Sequence, residues 1–321
     1  MDHWWDSNPA FLNNVPRGWL LTSNKRLVGF LGNIPSLFQL NGVPSTIYNA
    51  TTWRVLSQYR AHSLRLLSKF ILGSENSIAF DTSPTQSALK MLKVLGFKQL
   101  PGTINSSSVA VTAPERFLQR LIPPITGAEL AKDLIGNATQ KLSGLVPHRK
   151  RQKTTGFCVR LLPKADHQFD ELWDKTRHTF HYTRIRTAAN VNWHHSGEYS
   201  PKKILFGCYQ GSELVGYMIC LDNVRARLRP LECLDIWTMP PHREPVSELI
   251  AAALQYGVHQ RCGVVKVPHL KPFIKNACAE IGLSFRKPSD SMVYAKVGAQ
   301  FVSSIYATNS YLATPQADSG P

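Results

Sequence analysis

Between Thr51 and Phe70 the chain reads TTWRVLSQYRAHSLRLLSKF, which is a strand, a tight turn and a basic amphipathic helix in immediate succession. A strand that feeds straight into a helix commits this region to layered α/β packing. A helix start also presents up to about four unpaired backbone N–H groups and the positive end of its dipole. The turn Gln58-Tyr59-Arg60-Ala61-His62-Ser63 is therefore a candidate cradle for a phosphate group. The same spacing describes an ordinary strand-to-helix connection, and on spacing alone both readings stand.

At 321 residues the chain has room for about two domains, each able to bury its own core. A hydrophobic fraction of 43% and a charged fraction of 18% fit a folded soluble protein, and no apolar run is long enough to predict a membrane-spanning helix. The start, Met1-Asp2-His3-Trp4-Trp5-Asp6, lacks a basic stretch followed by an apolar one, so no secretory signal is expected. All six cysteines, Cys158, Cys208, Cys220, Cys233, Cys262 and Cys278, fall in the second half with no CxxC pair. Buried reduced thiols are the simplest expectation, which places the protein in the reducing cytoplasm. The formal charge of +16 predicts attraction to an anion: nucleic acid, an acidic membrane face, or a phosphorylated cofactor or substrate. The dense run His148-Arg149-Lys150-Arg151-Gln152-Lys153 reads as a solvated linker.

Apolar bursts between Gly18 and Phe38, broken by Thr22-Ser23-Asn24-Lys25 and Asn33-Ile34-Pro35, are hairpin signals. A strand over Ser45 to Leu56 follows, then a helix that should gather Leu64, Leu66, Leu67, Phe70 and Ile71 on one side. Ser77 to Phe80 reads as a short buried strand, Ser83-Pro84 as a helix start, and Gly96 as the stop of a helix through Ala88, Leu92 and Leu95. The second half repeats this plan. The reading is two tandem α/β units, each a mixed sheet flanked by helices: 1–112, a linker 113–155, a second unit 156–300, and a disordered tail 301–321.

Three blocks in the first unit together carry a resemblance to the GNAT acyltransferase superfamily. Leu27-Val28-Gly29-Phe30-Leu31-Gly32 resembles the family's second and third strands. Gln58-x-x-Ala61-x-Ser63 resembles the Gln/Arg-x-x-Gly-x-Gly/Ala loop that holds the coenzyme A diphosphate through backbone amides. Thr85-x-x-Ala88 followed by Leu95-Gly96-Phe97 resembles the helix that flanks the pantetheine arm. The resemblance implies acetyl-CoA or another acyl-CoA as co-substrate, no metal, and direct transfer of the acyl group to an amine on a small molecule or a protein. Its donor-binding residues would be Trp53 and Val55 (splayed strand), Gln58, Arg60, Ala61, His62 and Ser63 (turn), and Thr85 and Ala88 (helix).

The departures are specific. Ala61 stands at a glycine position and Thr85 at the usual asparagine. Leu92 stands where a tyrosine acid is frequent, and nothing before Gly18 matches the family's opening elements, so the first unit is either abbreviated or completed by other parts of the chain. The second unit keeps the architecture but reads Pro241-His242-Arg243-Glu244-Pro245 at its turn, where Pro245 removes an N–H and Glu244 adds negative charge. It reads as a degenerate copy. Asp81, after the buried strand, is either a helix cap or a catalytic base. His178, His181, His194 and His195 have no metal-site spacing. The alternative to an enzyme is a GNAT-like module that has lost its chemistry and binds nucleic acid or a protein partner. The charge alone favours an acidic or phosphorylated acceptor.

Overall fold

The computed structural model describes residues 4–11, 15–82, 84–100, 105–116, 156–195, 202–289, 294–298 and 310–311. The basic run at 148–153 and most of the expected linker and tail lie outside them. In chain order the strands are β1 Gly18–Ser23, β2 Arg26–Asn33, β3 Ser36–Leu40, β4 Val43–Val55, β5 Ile78–Asp81, β6 Lys98–Gln99, β7 Asn105–Val111, β8 Phe157–Leu162, β9 Tyr182–Arg184, β10 Lys203–Gln210, β11 Glu213–Asp222, β12 Pro230–Thr238, β13 Val264–Pro268, β14 Ser284–Ser289, β15 Tyr294–Val297 and β16 Ser310–Tyr311. The helices are α1 Ser63–Gly73, α2 Gln86–Val94, α3 His167–Thr176, α4 Ala188–His195, α5 Arg243–His259 and α6 Pro272–Ile281.

Two compact units result, and neither is contiguous in sequence. One comprises Met1–Ile104, Arg177–Glu198 and Asp290–Pro321; the other comprises Asn105–Thr176 and Tyr199–Ser289. Among the described residues the first holds a sheet ordered β16-β9-β3-β4-β5-β15-β6, with β2 also on β4 and β1 on β2. The second holds β14-β7-β13-β12-β11-β10-β8. The halves exchange strands: β7, from the first half of the chain, sits between β13 and β14. Reciprocally, β15 sits between β5 and β6. The first unit is thus completed by later parts of the chain.

In the first unit β2 and β3 are one bent strand laid along β4, β2 pairing with its second half and β3 with its first. The bend is at Pro35, which has no N–H to give a ladder. Buried asparagines satisfy the backbone there. Asn33 Oδ1 accepts from the Asn49 N–H at 3.0 Å, and Asn49 Nδ2 donates to the Ile34 carbonyl at 2.6 Å.

Helix α1 buries Leu66, Leu67 and Phe70 on the sheet, where they join Leu31, Ala79, Leu92 and Phe97 in one cluster. Each such side chain contributes about 1.5–3 kcal/mol. Leu64, expected on this side, is instead exposed in the first turn. The opposite face of the sheet packs Phe38, Ile47, Ile78, Phe80 and Tyr182.

Within the expected tail, Ser310–Tyr311 are the described residues and form β16. It pairs in parallel with Tyr182 and Thr183 of β9, because the Tyr311 ring is buried against Phe180 at 5.2 Å and under the Arg186 guanidinium at 4.9 Å. Five cysteines are buried and Cys158 is exposed; all six are free thiols.

Candidate functional site

Strands β4 and β5 pair only at Tyr48 with Ala79 and Asn49 with Phe80. Beyond that point β4 continues to Val55 beside β2, and no strand accompanies its other edge among the described residues. Its backbone there is open to a ligand that can hydrogen-bond like a strand.

The strand carries a bulge: Thr52 and Trp53 together face the single residue Leu31 between the pairs Gly32–Thr51 and Phe30–Arg54. Thr52 takes a left-handed φ of 51°, which a β-branched residue adopts only under constraint. Gly32 accommodates the bulge, since a Cβ there would lie 2.8 Å from Thr51 Cγ2. The extra residue resets the alternation. Trp53 and Val55 therefore point to the same side as Tyr48 and Ala50, toward α1 and α2. Burial pushes the Tyr48 phenol up, which keeps it neutral.

Beyond the point where β4 and β5 part lies a cleft of about 840 Å³, lined by β2, β4, the turn after β4 and α2 and by no residue of β5. Trp53, Arg54, Val55 and Leu56 form one wall, Leu27, Val28, Gly29 and Phe30 of β2 extend it, and Thr85, Ser87, Ala88 and Met91 of α2 face them. Arg60 and Ser63 close one end.

That end is the strand-to-helix turn. Ser57–His62 is a 3-10 turn that runs directly into α1, and neither segment receives a side-chain cap. The Leu56 N–H donates to the Val28 carbonyl and the Tyr59 N–H to the Leu56 carbonyl. The N–H groups of Ser57 and Gln58 take no backbone acceptor among the described residues. Arg54, Arg60, His62, Arg65 and Lys69 cluster around them in sequence, and there is no Asp or Glu from Ser7 to Ser74. No ion pair neutralises these arginines and this lysine among the described residues. The turn is a positive, donor-rich patch suited to a phosphate.

Across the cleft, Thr85 caps α2 by accepting the Ala88 N–H at 3.3 Å, and the helix begins at Gln86 rather than at Ser83-Pro84. Asp81 is consequently not the cap. It ends β5, half-buried, with Tyr294 as its cross-strand partner. At the other end of the helix Gly96 has φ 85°, and the Phe97 N–H reaches the Leu92 carbonyl at 3.0 Å. This Schellman closure brings Leu92 and Phe97 into the core together. Leu92 is fully buried, so its position faces packing, not the cleft.

Of the residues expected to hold the donor, Trp53, Val55, Arg60, Ser63, Thr85 and Ala88 line this one cleft. Gln58, Ala61 and His62 lie exposed on the turn, outside the wall. Sequence reasoning missed Arg54, Leu56, Phe30 and Met91. Past the bulge Arg54 and Leu56 alternate with Trp53 and Val55 and are exposed, so they line the cleft from the other face of β4, and Met91 is one turn beyond Ala88 at helical spacing.

The second unit closes the equivalent place. Its β12 pairs with β13 only from Pro230 to Glu232, yet the gap beyond is bridged. The His242 ring, before α5, stacks on Phe273, at the start of α6, at 4.4 Å and 18°. His242 Nδ1 is 2.9 Å from Thr238 Oγ1. Arg243 pairs with Glu280 at 2.9 Å across the same two helices. Of the four histidines noted above, His178 lies in a 3-10 turn at Arg177–Thr179 and His181 beyond it, so the two do not share a helix face. No cluster of three metal-ligating side chains occurs among the described residues.

No family model matches the chain, and no curated protein matches it in sequence. Solved structures match it in fold. Saccharomyces cerevisiae N-myristoyltransferase with bound myristoyl-CoA superposes with a TM-score of 0.52 at 16% identity, over 85% of this chain and 67% of that one. A GCN5-related N-acetyltransferase from Kribbella flavida gives 0.53 at 11%, over 88% and 59%. A protein from Enterococcus faecalis described as a probable N-acyltransferase gives 0.54 at 11%, over 87% and 62%. The chain has the GNAT fold in its two-unit form, and it spans about three fifths to two thirds of the length of these structures.

Proposed function

We propose that the chain transfers an acyl group from an acyl-CoA, acetyl-CoA in the first instance, to an amine, with the donor held in the first unit. The single observation that carries this is the cleft between β4 and α2, beyond the last β4–β5 pair. One strand edge is open there, an uncapped basic turn stands at one end, and a helix lies opposite. The diphosphate fits the turn, where the Ser57 and Gln58 amides, Arg60 and Ser63 supply donors and charge. The amide-bearing pantetheine arm fits the open edge of Trp53 to Val55, with Thr85 and Ala88 behind it. The stacked His242 and Phe273 support assigning the donor to the first unit only.

Transfer requires the amine nitrogen to attack the thioester carbonyl. The C–N bond forms, the C–S bond breaks, the amine proton passes to a base and the sulfur leaves as thiolate. Orientation along the open strand supplies much of the acceleration. Asp81, which ends β5 where it parts from β4, is our candidate for the proton. With Leu92 in the core, no side-chain acid for the thiolate comes from that position.

The acceptor class follows from charge: an acidic or phosphorylated small molecule, or a protein bearing an amine. Six free thiols favour the cytoplasm, and no described helix is long and apolar enough to cross a membrane. The buried Leu92 also favours a second reading, a GNAT-like module without turnover that binds nucleic acid or a protein. A thiol-release assay with acetyl-CoA and a panel of amines separates the two. Release that depends on an amine supports transfer. Coenzyme A binding without release supports the module.

A further inference from the structure

Buried indole N–H groups elsewhere in the protein have acceptors. Trp5 Nε1 donates to the Asn33 carbonyl at 2.7 Å and Trp237 Nε1 to Thr176 Oγ1 at 2.8 Å. Trp53 Nε1 is the exception: it is buried with no hydrogen-bond partner, and Trp53 forms part of the cleft wall. An unpaired buried donor is unfavourable and calls for an explanation.

The surroundings supply no easy remedy. Beside Trp53 the wall is built mainly from Val28, Phe30, Val55, Leu56, Ala88 and Met91, whose side chains offer no oxygen acceptor. The Thr85 hydroxyl accepts the Ala88 N–H and also shares a hydrogen bond with the Ser87 hydroxyl at 3.1 Å. The bulge at Thr52 puts Trp53 in this wall, so the strand accepts a left-handed β-branched residue and an unpaired indole at adjacent positions.

We infer that the Trp53 indole N–H donates a hydrogen bond to an amide carbonyl of the pantetheine arm, making Trp53 a positioning residue for the donor. The inference rests on the cleft being the acyl-CoA site. The arm is favoured over the phosphates by distance: the free amides start at Ser57, four residues on, about 13 Å away at about 3.3 Å per strand residue. An extended arm carries two amide carbonyls along that stretch, acceptors of the kind that the apolar side chains around the indole lack.

Two ligands test this on the full chain: coenzyme A, and 3′-phosphoadenosine 5′-diphosphate, which keeps the nucleotide and lacks the arm. With ¹⁵N-labelled tryptophan, the Trp53 indole resonance, assigned by its loss in Trp53→Phe, should move downfield with coenzyme A and stay with the nucleotide. Trp53→Phe should weaken coenzyme A by about fivefold, the size of one neutral hydrogen bond, and leave the nucleotide affinity unchanged. If the wild type binds coenzyme A but the indole resonance does not distinguish the two ligands, the inference is overturned while the site stands. If the wild type binds neither, site and inference fall together. The wild-type resonance decides the matter even if Trp53→Phe folds poorly.

Discussion

Asn49 and Phe80 are the last partners that β4 and β5 share, and everything proposed for the first unit follows from their being the last. Past this pair one strand edge is open, α2 stands across the gap, and the cations of the following turn have somewhere to act.

The exchange of β7 and β15 predicts that the first unit cannot fold from its own contiguous residues. A fragment of residues 1–112 lacks β15, which lies between β5 and β6. It would leave the edges of both strands unpaired, and Phe80 and Ala79 half-covered. Expressed alone, it should show no cooperative thermal transition by circular dichroism. A cooperative transition would mean the fragment completes its sheet another way.

Gly96 closes α2 with φ 85°, a conformation costly to any residue with a Cβ. Gly96→Ala should lower unfolding stability by about 1 kcal/mol in denaturant titrations, with the midpoint shifting and the slope unchanged. No loss would place the C-terminal turn of α2 outside the cooperative core.

Burial pushes the Cys208 and Cys278 thiols up to about 12 and Cys262 up to about 11, so all three stay protonated at neutral pH. Thiolate is the reactive form. Iodoacetamide at pH 8 should therefore modify Cys158 alone in the native chain, and all six cysteines after unfolding, as read by intact mass. Rapid labelling of Cys208 or Cys278 in the native chain would contradict the packing of the second sheet.

His242 is held below its ordinary value of 6.5 because its ring is buried. The unfolded chain therefore takes up a proton at this residue before the folded chain does, and stability falls as the pH drops below about 6.5. His242→Gln should flatten the decline between pH 7 and 5 in thermal unfolding curves. An equally steep decline in the variant would assign it to other groups, such as His269, which burial also lowers.

Much of this was legible in the sequence because it is local. Strand, basic turn and helix from Thr51 to Phe70 follow from alternation and helical spacing, and Gly96 marks the end of α2. What was not legible is non-local or breaks a period. Nothing around Tyr294 indicates that it pairs with Asp81, more than two hundred residues away, because strand partners are chosen by the assembled sheet. The bulge at Thr52 shifts the inward-facing set by one, so that alternation counted from Tyr48 turns Arg54 inward in place of Trp53. Thr85 is a polar residue near a helix start, but Asp81 before Ser83-Pro84 carries the same signal in sequence, and only the position of the first turn of α2 separates them. His242 against Phe273 joins two helices whose contact no local pattern encodes.

The central claim is that the turn after β4 grips the diphosphate of an acyl-CoA. Calorimetric titration of coenzyme A into the wild type and into Arg60→Glu/Ser63→Asp tests it most directly. The account predicts saturable binding at one site per chain in the wild type and none in the double variant, with the same far-ultraviolet circular dichroism for both. Equal affinity in the two proteins, or no binding to the wild type, would contradict it.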